Sequence, residues 1–473
     1  MIRSPAERFH AGHVLGTAAA LYVPLAILLA KGIAPLFAAA GLGVLLLGFV
    51  RERRVRIPAP AVSAALATFA AWALVSWLWS ITPDETVKTG ISFAATLFGG
   101  AVLVAAGARL DESETAFFRN ALMFGGAAGF MLIAFEFASD AWLTRHLYGL
   151  AGKLLFNVQG RYTAAMSPGL AATALFFWPW AKAVRARFPG VGSGLAITAG
   201  FGLVLLSQAD AVGVGMIAGA AVFGATLAWP RRLPWLLAIV ITVGIATAPL
   251  IVRQLPDPLT TESNVWWLPN SALHRFIIWE TADTHIKRHP VLGGGFDTSR
   301  ALYGPEDRVR YAFRSGRTHV PWSSNFEPIP LHPHNAVLQV WLELGGVGAL
   351  IFLALLLSVV RAIHVGVPDR TDRAVALAQL TTGATIACLS FGAWQSWWLT
   401  SILLAAALAA AMLGRAPGAP KAAAAPSTDR GIPPPGETPV KTPGETPSEI
   451  GGPKGPEPTR YGDWERKGRA IDF

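Results

Sequence analysis

The stretch P-L-H-P-H-N-A-V-L-Q-V-W-L-E-L-G-G-V-G, from Pro330 to Gly348, joins two closely spaced histidines to the start of a long apolar run. Pro333 disfavours helical geometry in the residue before it, so a helix can begin near His334 with Asn335 in its first turn. The apolar run Ala336 to Val360 is then long enough to cross a bilayer, which takes about 20 residues. The sequence therefore predicts a histidine at a membrane surface, at the positive end of a helix dipole that favours a neutral ring.

A second interpretation of these polar residues stays open. His332 and His334 could be interfacial residues beside a helix cap, because a histidine's role is set by partners that the sequence does not show. Asn335, Gln339 and Glu343 recur on one face of the predicted helix. Glu343 is favoured as a structural hydrogen-bond anchor that faces the bundle interior, with a supporting role in the site as the alternative. The glycines that follow are typical of close helix packing.

The composition is that of a membrane protein. Of the 473 residues, 53% are hydrophobic and only 14% are charged, whereas about 25% are charged in ordinary soluble proteins. Repeated apolar runs of about 18 or more residues predict an all-α polytopic fold whose main partner is the lipid bilayer. Loop arginines that fix the topology explain the formal charge of +10, so no nucleic-acid partner is expected.

Twelve transmembrane helices are predicted from the apolar runs. They lie at 13–30, 33–50, 60–80, 89–108, 117–137, 162–181, 193–208, 211–228, 234–252, 335–360, 374–393 and 396–413. With both termini in the cytoplasm, the inner loops carry about 14 basic residues and the short outer loops about 5, as the positive-inside rule requires. The membrane portions are thus 1–252 and 335–414.

The two remaining segments differ in composition. Residues 253–334 form an outer connection far longer than the usual loop of under about 15 residues, and its Trp, Phe, Tyr and Arg content predicts an ordered periplasmic subdomain. Within it, Ser271 to Arg288 is predicted to be a helix, with Arg275 one turn before Trp279, where a cation–π contact is possible. Residues 415–473 are rich in Pro, Gly, Glu, Thr and Lys, and predict a disordered cytoplasmic tail.

The outer side therefore collects histidines and arginines. Guanidinium groups stay charged and match phosphate oxygens two at a time, so Arg275 and Arg161, at the start of the sixth span, are candidate ligands of a lipid diphosphate. A neutral His334 could accept a proton from an attacking hydroxyl. This combination fits glycosyl transfer from a lipid-diphosphate donor. Arg275 could instead pair with a neighbouring carboxylate, and Arg161 could extend towards lipid headgroups.

A metal ion and other cofactors are not expected. The outer loops contain no Asp-x-Asp pair that would hold magnesium against a diphosphate. Asp210, in the short outer turn after the seventh span, is a candidate ligand of a cation or donor sugar, with a plain turn residue as the favoured alternative.

Three motifs resemble one known family. His334-Asn335, nine residues, Gly345, two residues and Gly348 resembles the signature of the O-antigen ligase and O-antigen polymerase superfamily. The stretch from Arg275 to Trp279, followed by Pro290-Val291-Leu292-Gly293, is similar to that family's segment near its large periplasmic loop. Trp394-Gln395-Ser396-Trp397-Trp398 is also similar to bacterial members. The resemblance covers about residues 60–413.

The resemblance implies a GT-C-like membrane glycosyltransferase of the bacterial inner membrane. Such enzymes join a glycan carried on undecaprenyl diphosphate to an acceptor sugar on the periplasmic face. Ligation to lipid A–core is expected, with a polymerase that uses a lipid-linked glycan acceptor as the alternative. By resemblance, His334 is the general base and Arg275 a diphosphate contact. The family often has another arginine where this chain reads Ser207 to Asp210, and Arg161 or an arginine of the long connection could replace it.

A transporter is the competing class of protein. A twelve-span transporter would be favoured by two related six-span halves. The sequence shows no such repeat, and the long connection between the ninth and tenth spans breaks a six-plus-six symmetry.

Overall fold

The computed structural model describes residues 10–53, 57–150, 162–207, 209–255, 270–314 and 321–414, with 464–465 and 470–471 of the C-terminal segment. These residues contain fourteen α-helices. They are α1 (Ala11–Leu28), α2 (Ile33–Leu47), α3 (Pro60–Val75), α4 (Pro83–Gly107), α5 (Glu112–Ala138), α6 (Trp142–Leu150), α7 (Tyr162–Arg187), α8 (Val191–Leu205), α9 (Asp210–Ala228), α10 (Leu233–Val252), α11 (Asn270–Arg288), α12 (Ala336–Gly366), α13 (Arg370–Leu389) and α14 (Ser396–Leu413).

The predicted multi-pass membrane fold is confirmed in its helical character. Every predicted span overlaps one of these helices, and nine helical segments in the described part of the chain are long and apolar enough to cross a bilayer. Helix α8 has only 15 residues, and α7 and α13 are less apolar than the nine. The count of twelve spans therefore stays a prediction.

Four helix pairs build the bundle. Helix α1 packs along α5, α9 along α13, α4 along α14, and α3 along α12. Polar side chains inside the bundle bond to neighbouring helices, because hydrocarbon offers them no water. The Tyr22 hydroxyl donates to the carbonyl oxygen of Ser401 at 2.9 Å, and the Gln379 amide donates to that of Leu175 at 2.9 Å. These bonds fix α1 and α7 against α13 and α14.

Helix α12 is interrupted at Gly345, whose φ of +65° is not helical. The turn that follows α11, Pro290 to Gly295, fills the break. The N–H groups of Gly294 and Gly295 donate to the carbonyls of Leu342 and Glu343 at 3.0 and 2.8 Å, and Gly346 N–H donates to the Pro290 carbonyl at 2.9 Å. The backbone groups released by the break are thus paired.

Gly345, the glycine at the break, serves a different purpose from the one predicted for the glycines of the signature. A Cβ atom on Gly345 would lie 2.3 Å from the carbonyl oxygen of Val291. The prediction of close helix packing is therefore wrong for this glycine, since its neighbour is the backbone of the turn after α11 and not a helix. The sequence could not show this, because the two segments lie about 50 residues apart.

The connection 253–334 contains the predicted loop helix, as α11. One apolar cluster, which includes Val252, Ile278, Ala282 and Leu338, joins α11 to the ends of α10 and α12. A two-stranded antiparallel hairpin follows, formed by β1 (Val309–Arg314) and β2 (Pro321–Phe326). The connection is therefore anchored to the bundle by an apolar core, and its hairpin was not predicted.

Helix α6 was also not predicted. The carboxylate of Glu136, at the end of α5, accepts hydrogen bonds from the N–H groups of Leu143 and Thr144 at 3.0 and 2.9 Å, and so caps the start of α6. The Ser139 hydroxyl oxygen also accepts the Trp142 N–H at 3.4 Å, so a local cap residue was present in the sequence and was missed.

The C-terminal segment is a unit of its own, Pro420–Phe473. In it, β3 (Trp464–Glu465) pairs antiparallel with β4 (Ala470–Ile471). The predicted disorder of 415–473 otherwise lies outside the described residues.

Candidate active site

His334 is held from several sides just before α12. Its φ of +56° lies in the left-handed region, which non-glycine residues rarely adopt. Its N–H donates to Nδ1 of His332 at 3.2 Å, and its own Nδ1 hydrogen-bonds to the carbonyl oxygen of Ser390. The indole of Trp279 donates to the carbonyl of the preceding Pro333 at 2.9 Å. A strained backbone over-determined in this way is typical of a functional residue.

These contacts fix the proton of the His334 ring. A carbonyl oxygen can only accept, so Nδ1 carries the hydrogen and Nε2 keeps the lone pair of the neutral ring. Burial lowers the pKa of His334, the hydrogen bond to Ser390 opposes that effect, and the positive charge of Arg275 lowers the pKa further. The imidazole is therefore a neutral proton acceptor at Nε2.

His332 is a neutral partner of His334. Burial, together with the neighbouring His334 and Arg300, lowers the pKa of His332 to about 3. Its Nδ1 accepts the His334 N–H, so its own hydrogen lies on Nε2, which is 3.2 Å from the side-chain amide of Gln395. The oxygen of that amide must face the ring, because two donors cannot bond to each other. Gln395 thus orients His332, and His332 supports the backbone of His334.

We expect this support to matter for turnover. In His332→Phe the buried His334 N–H loses its acceptor, at a cost of about 1–3 kcal/mol, and kcat should fall about tenfold with little change in the donor KM. His332→Asn offers a side-chain oxygen in its place and should recover most of the loss. The measurement is steady-state kinetics of the purified protein, with exposed His289→Phe as the control. Full kcat in His332→Phe, or an equal loss in both variants, would contradict a positioning role.

Arg275, on α11, belongs to the same electrostatic neighbourhood. Burial lowers the pKa of Arg275, and the negative charge of Asp210, at the start of α9, raises it. Asp283, a carboxylate on the same helix, is bound by Arg253 at 3.0 Å and by Lys287 at 2.6 Å. The structure thus brings His334, Arg275 and Asp210 together, although they come from three separate parts of the chain.

His274 is a member of this group that the sequence analysis missed. Burial, together with His334 and Arg275, lowers the pKa of His274 to about 4. The one available signal was its place immediately before Arg275 on the predicted loop helix. Three neutral imidazoles and one guanidinium therefore lie close together at the start of α12.

Asn335 is the N-cap of α12. Its side-chain oxygen accepts hydrogen bonds from the N–H groups of Val337 and Leu338 at 3.0 and 3.1 Å. This bonding fixes where the helix begins and hence the position of His334. The observed role of Asn335 is structural.

Glu343 is fully buried in the interrupted helix. Its carboxylate accepts hydrogen bonds from the Asp297 N–H and the Trp394 indole at 2.6 Å each, and from the Gln339 amide at 3.0 Å. These bonds tie the segment after Gly295 and the segment before α14 to α12, which is the structural anchor favoured by the sequence. Arg161, the remaining candidate, lies outside the described residues.

A cavity of about 370 Å³ opens beside His332. Its walls include Lys31, Arg300, His332, Trp394, Gln395 and Trp397. Of these, only His332 was predicted as a site residue. The wall residues come from four separate parts of the chain, so no local pattern could have indicated the cavity.

Comparisons with known proteins match the membrane portion of the chain. A family model described as O-Antigen ligase matches residues 194–353, which contain Asp210, Arg275 and His334. A protein of Rickettsia felis named "Putative polysaccharide ligase" is 26% identical over 339 residues, which cover 70% of this chain and 76% of the relative. A protein of Rickettsia typhi with the same descriptive name is 25% identical over 334 residues, with the same two coverages.

The C-terminal segment matches other proteins. Residues 420–473 match the family model of a protein of unknown function, DUF1674. A "UPF0369 protein" of Rickettsia felis is 72% identical over 25 residues, 5% of this chain and 32% of that relative. The membrane portion, with its histidine signature and its polysaccharide ligase relatives, is therefore similar to the O-antigen ligase superfamily.

Proposed function

We propose that the protein transfers a glycan from undecaprenyl diphosphate to an acceptor sugar, in an O-antigen ligation to lipid A–core. The observation that carries the proposal is the His334 ring. Its Nδ1 bonds to the Ser390 carbonyl, so its Nε2 is the proton acceptor, and Arg275 acts on it electrostatically. A base next to a fixed cation suits a reaction that deprotonates a hydroxyl and expels an anion.

The proposed step is an inverting displacement. Nε2 of His334 takes the proton of the acceptor hydroxyl as its oxygen bonds to the anomeric carbon of the first donor sugar. The bond from that carbon to the diphosphate oxygen breaks on the opposite face, and the diphosphate leaves with the electron pair. Arg275 stabilises its charge without a metal ion, and the imidazolium then releases its proton to water. Arg161 remains a candidate for a second diphosphate contact.

We place the reaction on the periplasmic face of the bacterial inner membrane, with both termini in the cytoplasm. The basic loops assigned to the inner side meet one another in the structure, which supports this topology. Lys182, at the end of α7, pairs with Asp372 at the start of α13. Arg373 donates to the carbonyl of Pro230, before α10, at 2.9 Å. His334 lies at the other end of α12 from this cluster.

The acceptor test separates the candidate functions. Purified full-length protein in nanodiscs would receive a glycan linked to undecaprenyl diphosphate, with or without lipid A–core. Ligation predicts a product only when lipid A–core is present. A ladder on the lipid carrier without lipid A–core would identify the polymerase alternative instead. Counterflow of the glycan in proteoliposomes without any new bond would contradict both and favour a transporter.

A further inference from the structure

Apart from His332, the cavity is lined by different residues from those grouped around Arg275. The ring centroids of His332 and His334 are 4.4 Å apart. A different arginine lowers the pKa of each histidine. Arg275 acts on His334, and Arg300 acts on His332. Only His332 of the pair lines the cavity, together with Arg300. The histidine pair therefore stands between two cationic environments.

The cavity wall carries an excess of positive charge. Lys31 comes from the turn before α2, and Arg300 from the turn that follows the Gly-rich segment. Nη2 of Arg300 bonds to the buried Asp297 carboxylate at 2.9 Å, which neutralises one of the two cations. A guanidinium has five donors, so this single bond leaves Arg300 able to bind a ligand oxygen. Its side chain is 47% exposed, so a ligand can reach it.

The start of α14 adds further donors. Its N-cap, Gln395, makes no side-chain cap hydrogen bond, and the first helical residues, Ser396 and Trp397, line the cavity. Backbone N–H groups in a first helical turn have no partner within the helix and attract anions. Trp394 and Trp397 supply apolar ring surface in the same wall. Cations, helix N–H groups and aromatic rings together suit a sugar that carries an acidic group.

We propose that this cavity is the acceptor subsite and that it binds a sugar bearing a phosphate or carboxylate group. The inference rests on the proposed glycosyl transfer. Lys31 and Arg300 bind the acidic group, and the tryptophan rings pack against the apolar face of the sugar. The donor's diphosphate is assigned to Arg275, which is not part of this wall, so the cavity is left for the acceptor. Its volume lies within the range of about 300–1,000 Å³ usual for small-molecule pockets.

The test compares a charged acceptor with its neutral counterpart. Full-length protein in nanodiscs would receive the lipid-linked donor and lipid A–core, either untreated or treated with phosphatase. The variants are Lys31→Gln and Arg300→Gln, with Arg300→Lys as the conservative change. Lys88→Gln is the matched control, because it removes an exposed, ion-paired cation outside the cavity and outside the long connection.

We expect the acceptor KM to rise about tenfold in Lys31→Gln and Arg300→Gln with untreated acceptor, with kcat and the donor KM unchanged. Arg300→Lys should recover part of the loss, and the control should match the wild type. If the acidic group is a phosphate, phosphatase treatment removes the difference between wild type and variants; if it is a carboxylate, the difference persists after treatment. Lys31 is exposed, so its variant stays informative if loss of the Arg300 partner of Asp297 impairs folding.

Two results would overturn the inference. The first is an unchanged acceptor KM in Lys31→Gln and in a folded Arg300→Gln; the second is a raised donor KM, which would assign the cavity to the donor glycan. In either case a wild-type protein that ligates leaves the proposed function standing. If the wild type transfers nothing to any acceptor, the cavity can be tested alone. Saturation-transfer NMR would compare the binding of glucose 6-phosphate with the binding of glucose, in the wild type and in Lys31→Gln. Preference for the phosphate that is lost in Lys31→Gln supports an anionic-sugar site, and its absence overturns one.

Discussion

Glycan transfer is expected to fall by about 10²–10⁴-fold, to the limit of detection, when His334 is replaced by asparagine. Activity is lost because the substitution removes the general base. In the wild type, Nε2 of His334 is the proton acceptor, since Nδ1 is hydrogen-bonded to the Ser390 carbonyl. Asparagine is the preferred change because it tolerates the left-handed backbone, at a φ of +56°, better than alanine does. His334→Ala should lose activity equally, with some added backbone strain.

The measurement is product formation by purified protein, with expression and membrane insertion checked on the same preparations. His289→Asn is the matched control, because His289 is an exposed histidine just beyond α11. Its activity should equal that of the wild type. Full activity in His334→Asn would remove His334 from the mechanism.

The second large effect is expected at Arg275. Arg275→Gln should lower kcat/KM for the donor about a hundredfold, since it removes a fixed charge from the leaving diphosphate. Arg275→Lys should lose less of this kcat/KM, because lysine keeps the positive charge but cannot form the bidentate hydrogen bonds of a guanidinium to phosphate. Arg288→Gln, an exposed arginine on the same helix, should behave as wild type.

The pH dependence gives Arg275 a separate readout. The active form of His334 is the deprotonated one, so activity falls as pH drops through its pKa. The wild-type pKa lies below the ordinary histidine value, because burial and the positive charge of Arg275 both disfavour the imidazolium. Arg275→Gln removes one of these causes, so the pKa rises and the acid limb of kcat/KM moves to higher pH. An acid limb that stays in place, or moves to lower pH, would show that the charge of Arg275 does not lower the pKa of His334.

Much of the helical fold could be predicted from local sequence. A bilayer fixes the length of a crossing and requires each backbone group to be paired within its helix, so an apolar run specifies its own structure. The capped helix start at Asn335 and the loop helix around Arg275 were accessible for the same reason. The break at Gly345 was not, because the backbone that pairs with it lies about 50 residues earlier in the chain. The hairpin and α6 have local partners and were missed all the same.

The sequence by itself determined the membrane helices and the identities of His334, Arg275 and Asp210 as site candidates. Only the tertiary structure decided the tautomer of His334, the inclusion of His274, the hydrogen-bond partners of Glu343 and the cationic cavity beside His332. Each of these depends on distances between residues far apart in the chain, such as His334 and Ser390. Such distances are set by how the helices pack, and no periodicity or spacing along the sequence records them.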